Sequence, residues 1–568
     1  MKNSSKWLAL LLVPVIAISL AACKPASGPR EGELDDIIPK ETVTLTVYSQ
    51  LANFSGEQVG WFAKIMLDKF NVKLIIVKED EGTFATRMES GDLGDIVIFG
   101  NDSDEYLQAV EAGLLYDWEE DGLLEEYGPY ILKHMEKALE KNRNLSGGKL
   151  YGFGHNVGTS TDDHEAFFYR PDIRWDLYKK LGYPEVNTLE DFIPILEDMV
   201  ALEPKSDTGG KTYGVSLFPD WDGNMVMFVK STGALYGYDE FGFGLFDTKT
   251  QTYEHALKED GMYLRALKFY NTLYQRGLLD PDSMTQTYDE MLEAYQTGAA
   301  FFNIFDWMAS GAYNTEEHLK AGKAMLPLAA KDQKNIAYGL NIYGGNRIWT
   351  IGAKTDYPEL CMAIINWLAT PEGAMTNFYG PKGVTWDYDE KGRPYLTEFG
   401  EKALADSTVQ MPEGWSGTFG DGNNQMNNTT WSQDAKNPDA KNGDTYNRNF
   451  WETRLNRPVS EIEQDWREWA KALDVNEYLK KNNHFSIKIG TTYSEAPKSD
   501  ELLTIWNQVA EAIRSYSWRA IYAKTDAEYN QIVSEMIQKC KDYGYDQCVE
   551  FQQNEANRLK QLMEEASK

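Results

Sequence analysis

One order of apolar periodicities, between residues 43 and 99, limits what this chain can fold into more than any other feature. Val43-Thr44-Leu45-Thr46-Val47-Tyr48 alternates with period two, the pattern of a half-buried strand. Phe62, Ile65, Met66 and Phe70 follow at helical spacing, and residues 72–77 form a continuous apolar run of strand length. Residues 83–90 read as a second helix and 95–99 as a third strand. Strand, helix, strand, helix, strand predicts an α/β unit whose parallel sheet is joined by right-handed crossovers. Ligands of such sheets sit outside the carboxyl ends of the strands. The loops 49–53 and 100–104 therefore share one edge and offer Gln50 and Asn101 to a ligand. The competing reading is that surface loops are polar in any case, with Ser103 or Asp104 capping the next helix.

The first residues fix where the chain works. Lys2 and Lys6 give a positive start, and residues 7–20 are apolar but interrupted by Pro14. That run is too short and too broken to span a bilayer, so residues 1–22 read as a secretory signal peptide. Leu20-Ala21-Ala22-Cys23 resembles a bacterial lipobox, in which the cysteine is acylated, for instance with palmitate, and becomes the mature N-terminus. The alternative is an ordinary signal with a chance cysteine. Each acyl methylene buried in lipid contributes ~0.8 kcal/mol, so two or three chains hold a soluble domain at the surface. Residues 24–39, rich in Pro, Gly, Ser and acid, read as a flexible tether, giving a 23–41 anchor unit. The expected location is the extracytoplasmic face of the cell membrane.

The remaining length suits two lobes, because single cores stop growing near roughly 250–300 residues. With 56 basic against 88 acidic residues, no basic face for nucleic acid is expected. Beyond Cys23 only Cys361, Cys540 and Cys548 remain, which excludes a disulfide scaffold and shows no zinc spacing. Cys540 and Cys548 are close enough in sequence to bridge or to stay free. None of the six histidines stands in an H-E-x-x-H pattern, and G-x-S-x-G and G-x-x-x-x-G-K-[ST] are absent. No cofactor and no metal is expected. Paired carboxylates are unavoidable among 88 acids, and glycoside hydrolysis needs a separation that sequence spacing does not establish. An anchored polysaccharide hydrolase or lyase is therefore the alternative, and a binding protein without enzymatic activity the leading reading.

Along the chain, Thr188 with Asp191 forms a capping-box pattern ahead of a helix reaching residue 202. Residues 213–217 return to strand and run into Phe218-Pro219-Asp220-Trp221-Asp222-Gly223-Asn224. Helices are expected at 225–232, 262–275 and 288–296, then a strand at 299–304 that delivers Phe305-Asp306-Trp307 to a loop. Residues 400–456 are rich in Gly, Asn and Asp and read either as an insertion near the cleft or as a surface elaboration. The segments 461–480 and 501–523 have helical periodicity, and 526–567 reads as a helical pair broken at Tyr543-Gly544.

Residues 298–307 followed by 338–373 resemble family 1 of the extracellular solute-binding proteins of ABC importers, the group that contains maltose-binding protein. The matching features are a strand emptying into a Trp, a strand at 348–353, and a helix from Pro358 closed by Thr370-Pro371-Glu372-Gly373. Tyr379-Gly380-Pro381-Lys382-Gly383-Val384 with Tyr388-Asp389-Glu390-Lys391-Gly392-Arg393-Pro394 resembles the large Gram-positive lipoprotein branch, as does the stretch 202–211.

The resemblance implies a two-lobed periplasmic-binding-protein-like fold of type II, each lobe a mostly parallel sheet flanked by helices, with a helical C-terminal elaboration. The first lobe would hold 42–158 plus 335–385 and the second 159–334 plus 386–568. It implies a monomer that binds an oligosaccharide between the lobes and delivers it to ABC permease transmembrane subunits served by a separate ATPase. A peptide or other non-sugar receptor of the same fold is the further alternative. Trp221 and Trp307 correspond to cleft aromatics; Asp306 replaces a common Pro. Asp220 and Asp306 are polar residues in the loops beside them, and Trp349 and Trp386 are further aromatics weighed against simple burial. Arg347 could meet a carboxylate if the sugar were acidic. Some relatives bind calcium in the loop that corresponds to 207–211; one carboxylate and two glycines are too few oxygens for it here.

Overall fold

The structure, a computed structural model, describes residues 36–567 apart from 81, 103, 159, 161–162, 345, 428–432 and 497. The signal peptide, Cys23 and the tether up to residue 35 lie outside the described residues. No described helix is long and apolar enough to cross a membrane.

The alternating segment 43–101 forms the centre of a six-stranded sheet. Its order is Gly56–Glu57, Val72–Lys78, Val43–Ser49, Ile96–Asn101, Asn346–Ile351, Gly152–Gly154. Val43–Ser49 pairs in parallel with Val72–Lys78 from Val43↔Val72 to Ser49↔Lys78, and with Ile96–Asn101 from Val47↔Ile96. Helix Gly60–Phe70 buries Trp61, Phe62, Ile65, Met66 and Phe70, and Asn71, with φ 53°, turns the chain straight into the next strand. Ile96–Phe99 is wholly buried, as expected of a central strand covered on both faces. The antiparallel strand Asn346–Ile351 enters from far along the chain and completes the sheet.

The second lobe is built around Tyr169–Arg174, which pairs antiparallel with Phe302–Phe305 and Met325–Pro327. Parallel bridges Tyr213↔Ala300 and Val215↔Leu279 extend it. The expected capping box is present, Thr188 with Asp191, and so are the helices Met262–Gln275 and Tyr288–Gln296. Helices Asp500–Ile521, Asp526–Tyr543 and Tyr545–Ala566 pack on this lobe through Trp506, Ile513, Trp518, Met536 and Cys548. Gly544, with φ 98°, makes the break between the last two. Cys540 and Cys548 are both buried free thiols.

Two crossing segments run side by side between the lobes. Gly158 N–H donates to Asn341 O (2.8 Å), Leu340 N–H to Asp163 O (2.9 Å) and Glu165 N–H to Tyr338 O (2.7 Å). The chain crosses a third time between Trp451 and Ile462, which belong to different cores.

These cores correct two expected boundaries. Residues 386–455 pack on the first lobe and not, as the resemblance implies, on the second. Phe419 stacks on Trp61 (5.9 Å, 18°) and its carbonyl accepts the Trp61 indole N–H (2.9 Å). Trp451 packs on Tyr379 at 5.1 Å. Asn335–Tyr338, expected in the first lobe, pairs in parallel with Phe485–Lys488 and joins the second. In both cases long-range apolar packing, which leaves no local sequence signal, decides the side.

Candidate functional site

Strand Phe302–Phe305 is fully buried and runs out at Asp306-Trp307. Phe305 lies opposite Tyr169, the residue that follows the first crossing segment, so the strand delivers Trp307 beside the hinge. Two other elements bring aromatics to the same place. The loop 218–224 carries Trp221, which is 48% exposed. Helix Tyr288–Gln296, capped by Thr287 and Glu290, starts with Tyr288.

The three rings form one platform. Trp221 stacks on Tyr288 (4.8 Å, 23°) and on Trp307 (5.8 Å, 29°), and Tyr288 lies 5.8 Å from Trp307. Phe305, 6.1 Å from Trp307, continues toward Phe168, which is 44% exposed and 5.8 Å from Phe305. Ring faces of this kind cover the C–H face of a flat ligand while polar groups around them meet its edges. Among the described residues the buried Trp307 indole N–H has no acceptor, leaving a donor that a bound polar group would satisfy.

Beside Trp307 one guanidinium is shared by two carboxylates. Arg170 pairs with Asp172 (Nε to Oδ1, 3.2 Å) and Asp306 (Nη2 to Oδ2, 3.6 Å) and donates to Ser310 Oγ (3.1 Å). Burial pushes the Asp172 carboxyl up to about 6, only partly offset by Arg170. Burial also raises Asp306, again against Arg170. Asp220 Oδ2 accepts the Tyr288 backbone N–H (3.2 Å), tying the Trp221 loop to the Tyr288 helix. On the other flank of Trp221, buried Asp222 accepts from Met227 N–H (2.9 Å) and the Trp518 indole N–H (2.7 Å); burial lifts it to about 6.

The first lobe turns a polar edge toward the hinge. Asn101 pairs with Asn346, the first residue of the strand that leaves the second crossing segment. Gln50 ties the two strand-end loops together: its Oε1 accepts Gly100 N–H (2.8 Å) and its Nε2 donates to Glu105 (2.5 Å). Asp102 pairs with Lys141 at 2.5 Å. Both this edge and the aromatic platform therefore adjoin the crossing segments, one from each lobe.

Of the residues singled out in the sequence, Asp220, Trp221, Asp306 and Trp307 are brought together, and Gln50 and Asn101 share the first-lobe edge. Trp349 is a correction. It has no exposed surface and packs in the first-lobe core 5.2 Å from His155, so it has no face to offer a ligand. Trp386 is likewise core, its indole N–H donating to Gly380 O (2.7 Å). Arg347 is half-buried, and burial lowers its pKa. Tyr288, Phe168, Arg170 and Asp222 were not read as site residues; the fold alone brings them to the Trp221 and Trp307 loops. In the loop 207–211, Asp207 is held by Lys323 Nζ (2.7 Å) and His318 Nε2 (3.1 Å), side chains that occupy its oxygens.

Two α/β lobes joined by crossing segments, with an aromatic platform on one lobe and a polar edge on the other each adjoining those segments, define a two-lobed solute-binding fold. The chain belongs to the bacterial extracellular solute-binding proteins, whose sequence profile matches residues 63–385; it is a binding protein and not an enzyme. Lipoprotein LipO of Bacillus subtilis is 24% identical over 289 residues, 49% of this chain and 51% of that protein. The match thus spans about half the length of the curated relative. Among solved structures, an HMO-binding, ABC-transporter-associated solute-binding protein of Bifidobacterium longum infantis superposes with a TM-score of 0.55 at 13% identity, covering 91% of this chain and 99% of that one. The N-glycan transport solute-binding protein NgtS of Streptococcus pneumoniae gives 0.50 at 15% identity, covering 92% and 99%. The kestose complex of FusA from S. pneumoniae gives 0.50 at 14%, covering 91% and 99%. These likenesses describe the fold.

Proposed function

We propose that this protein is the receptor of an ABC importer, anchored by acylated Cys23 at the outer face of the membrane, which captures an oligosaccharide between its lobes and passes it to a permease. The observation that carries this reading is the three-ring platform of exposed Trp221 with half-buried Tyr288 and Trp307, beside the crossing segments on the second lobe. Supporting it are the polar loops of Gln50 and Asn101 on the other lobe, and the names of the structural neighbours, which bind or transport glycans. The LipO relative, itself a lipoprotein, supports the anchor.

Mechanistically, the ring faces supply affinity, and Asp220, Asp306, Gln50 and Asn101 read hydroxyl positions. A ligand that touches both lobes favours the closed arrangement over the open one by its extra contacts there. The chain works as a monomer, and energy for transport comes from a separate ATPase.

The test is a thermal-shift screen with neutral and acidic oligosaccharides, followed by calorimetry and analysis of the recovered sugar. A stabilising sugar, recovered intact, with affinity lost in Trp307→Ala, is the expected result. Unchanged affinity in Trp307→Ala overturns the site. A peptide or other solute that stabilises the protein where no sugar does keeps the fold and replaces the ligand.

A further inference from the structure

The loop that carries Trp221 is fastened along one side of the C-terminal helix Asp500–Ile521, residue by residue. Trp518 donates its indole N–H to Asp222 Oδ2 (2.7 Å), Arg514 donates to the Gly223 carbonyl, and Trp506 donates its indole N–H to Asn224 Oδ1 (3.0 Å). The three donors stand eight and then four residues apart, on one side of the helix. The three acceptors are consecutive in the loop. A fourth link runs through Tyr263, whose hydroxyl shares a hydrogen bond with Ser517 Oγ (3.0 Å) and accepts Val226 N–H (3.4 Å).

The loop is shaped to receive these contacts. Gly223 has φ +67°, and a Cβ there would come within 3.3 Å of Lys230 Nζ. Lys230, itself buried, donates to the Asp222 carbonyl (2.9 Å) and pairs with Glu240 (2.7 Å). The Asp222 carboxylate uses its other oxygen on Met227 N–H, at the start of helix Met227–Thr232. Among the described residues Trp221 makes no side-chain hydrogen bond of its own; its place is set by its neighbours Asp220 and Asp222 and by ring contact. A buried carboxylate is an expensive group to place where an apolar contact would hold a loop equally well. What it adds is direction, since its two oxygens fix the loop against two helices at once.

We propose that the C-terminal helix is a structural part of the platform, with Asp222, Asn224, Trp506 and Trp518 acting as positioning residues that hold Trp221 in register with Tyr288 and Trp307. The tail is then not an ornament of the second lobe but the backing of its ligand-facing loop. This goes beyond the sugar-binding reading and rests on it only in the second arm of the test.

The first arm needs no ligand. Hydrogen exchange is compared in the wild type, Trp518→Phe and Asp222→Asn, with the exchange of the first lobe as the internal standard. The expected result is exchange faster by about tenfold or more in peptides covering 219–227, with the first lobe unchanged. Asn224→Ala, which removes a single acceptor at the loop's edge, gives a smaller acceleration in the same peptides and serves should either buried variant fold poorly. Unchanged exchange at 219–227 in every folded variant overturns the proposal, as does acceleration spread evenly over the second lobe.

The second arm uses the oligosaccharide that most stabilises the wild type, in a double-mutant cycle of Trp518→Phe with Trp221→Phe. Positioning through Trp221 predicts that the loss of affinity in Trp518→Phe shrinks at least severalfold once Trp221 is Phe. Fully additive losses overturn it. Should no oligosaccharide bind, the sugar reading fails while the first arm still decides this one.

Discussion

The two walls proposed to face a ligand differ in material. The second-lobe wall is Trp221 stacked on Tyr288 and on Trp307, next to the Arg170, Asp172 and Asp306 group, with exposed Trp221 flanked by two anchoring carboxylates. The first-lobe wall is a strand-end edge of polar loops, cross-tied by Gln50, whose tryptophan, Trp349, is turned inward. On the proposed function the difference predicts a division of labour: ring faces would give affinity that tolerates sliding, and hydrogen-bonding loops directional preference.

The comparison breaks most severely if the two lobes' tryptophans behave alike. Trp349→Ala empties a core position and should lower stability by about 3–5 kcal/mol, seen as a large fall in Tm. Its affinity for ligand, measured on the fraction that stays folded, should change little. A second contrast lies in pH. The Asp172 carboxyl is raised from 3.8 to about 6 in the folded protein. Its contribution to stability is therefore complete below about pH 4 and is lost as pH rises through 6, a change of about 3 kcal/mol at most. Denaturation from pH 4.5 to 8 should show this loss, with a shallower pH slope in Asp172→Asn.

Trp221→Ala sharpens the contrast from the other side. With half its surface already in water, the side chain should matter little to Tm, while ligand affinity falls by about 2 kcal/mol, near 30-fold, by calorimetry. Gln50→Ala should have the smallest effect, about 1 kcal/mol in affinity. That loss should be greater for some sugars than others, whereas Trp221→Ala weakens all of them similarly. Equal loss across sugars in both variants would remove the division of labour.

Local pattern made much of the fold legible. The alternation at 43–48 and the apolar runs at 72–77 and 95–99 appear as adjacent strands, because period and length constrain a buried strand without reference to distant chain. The helix start at Thr188 and the break at Gly544 follow from a capping box and a left-handed glycine, both short-range devices. At the site, Trp221 and Trp307 were readable as residues emptied from strands into loops. Tyr288 was readable only as a helix start, since its ring meets Trp221 across 67 residues of chain.

What the sequence determined by itself is the set of elements and their order, because hydrophobic period, caps and turns act within a few residues. Only the tertiary structure decided that residues 386–455 join the first lobe, that Trp349 is core, and that a helix near residue 518 backs the loop at 222. Those outcomes depend on which apolar faces and which buried donors find each other at long range, and neither periodicity nor composition carries that pairing.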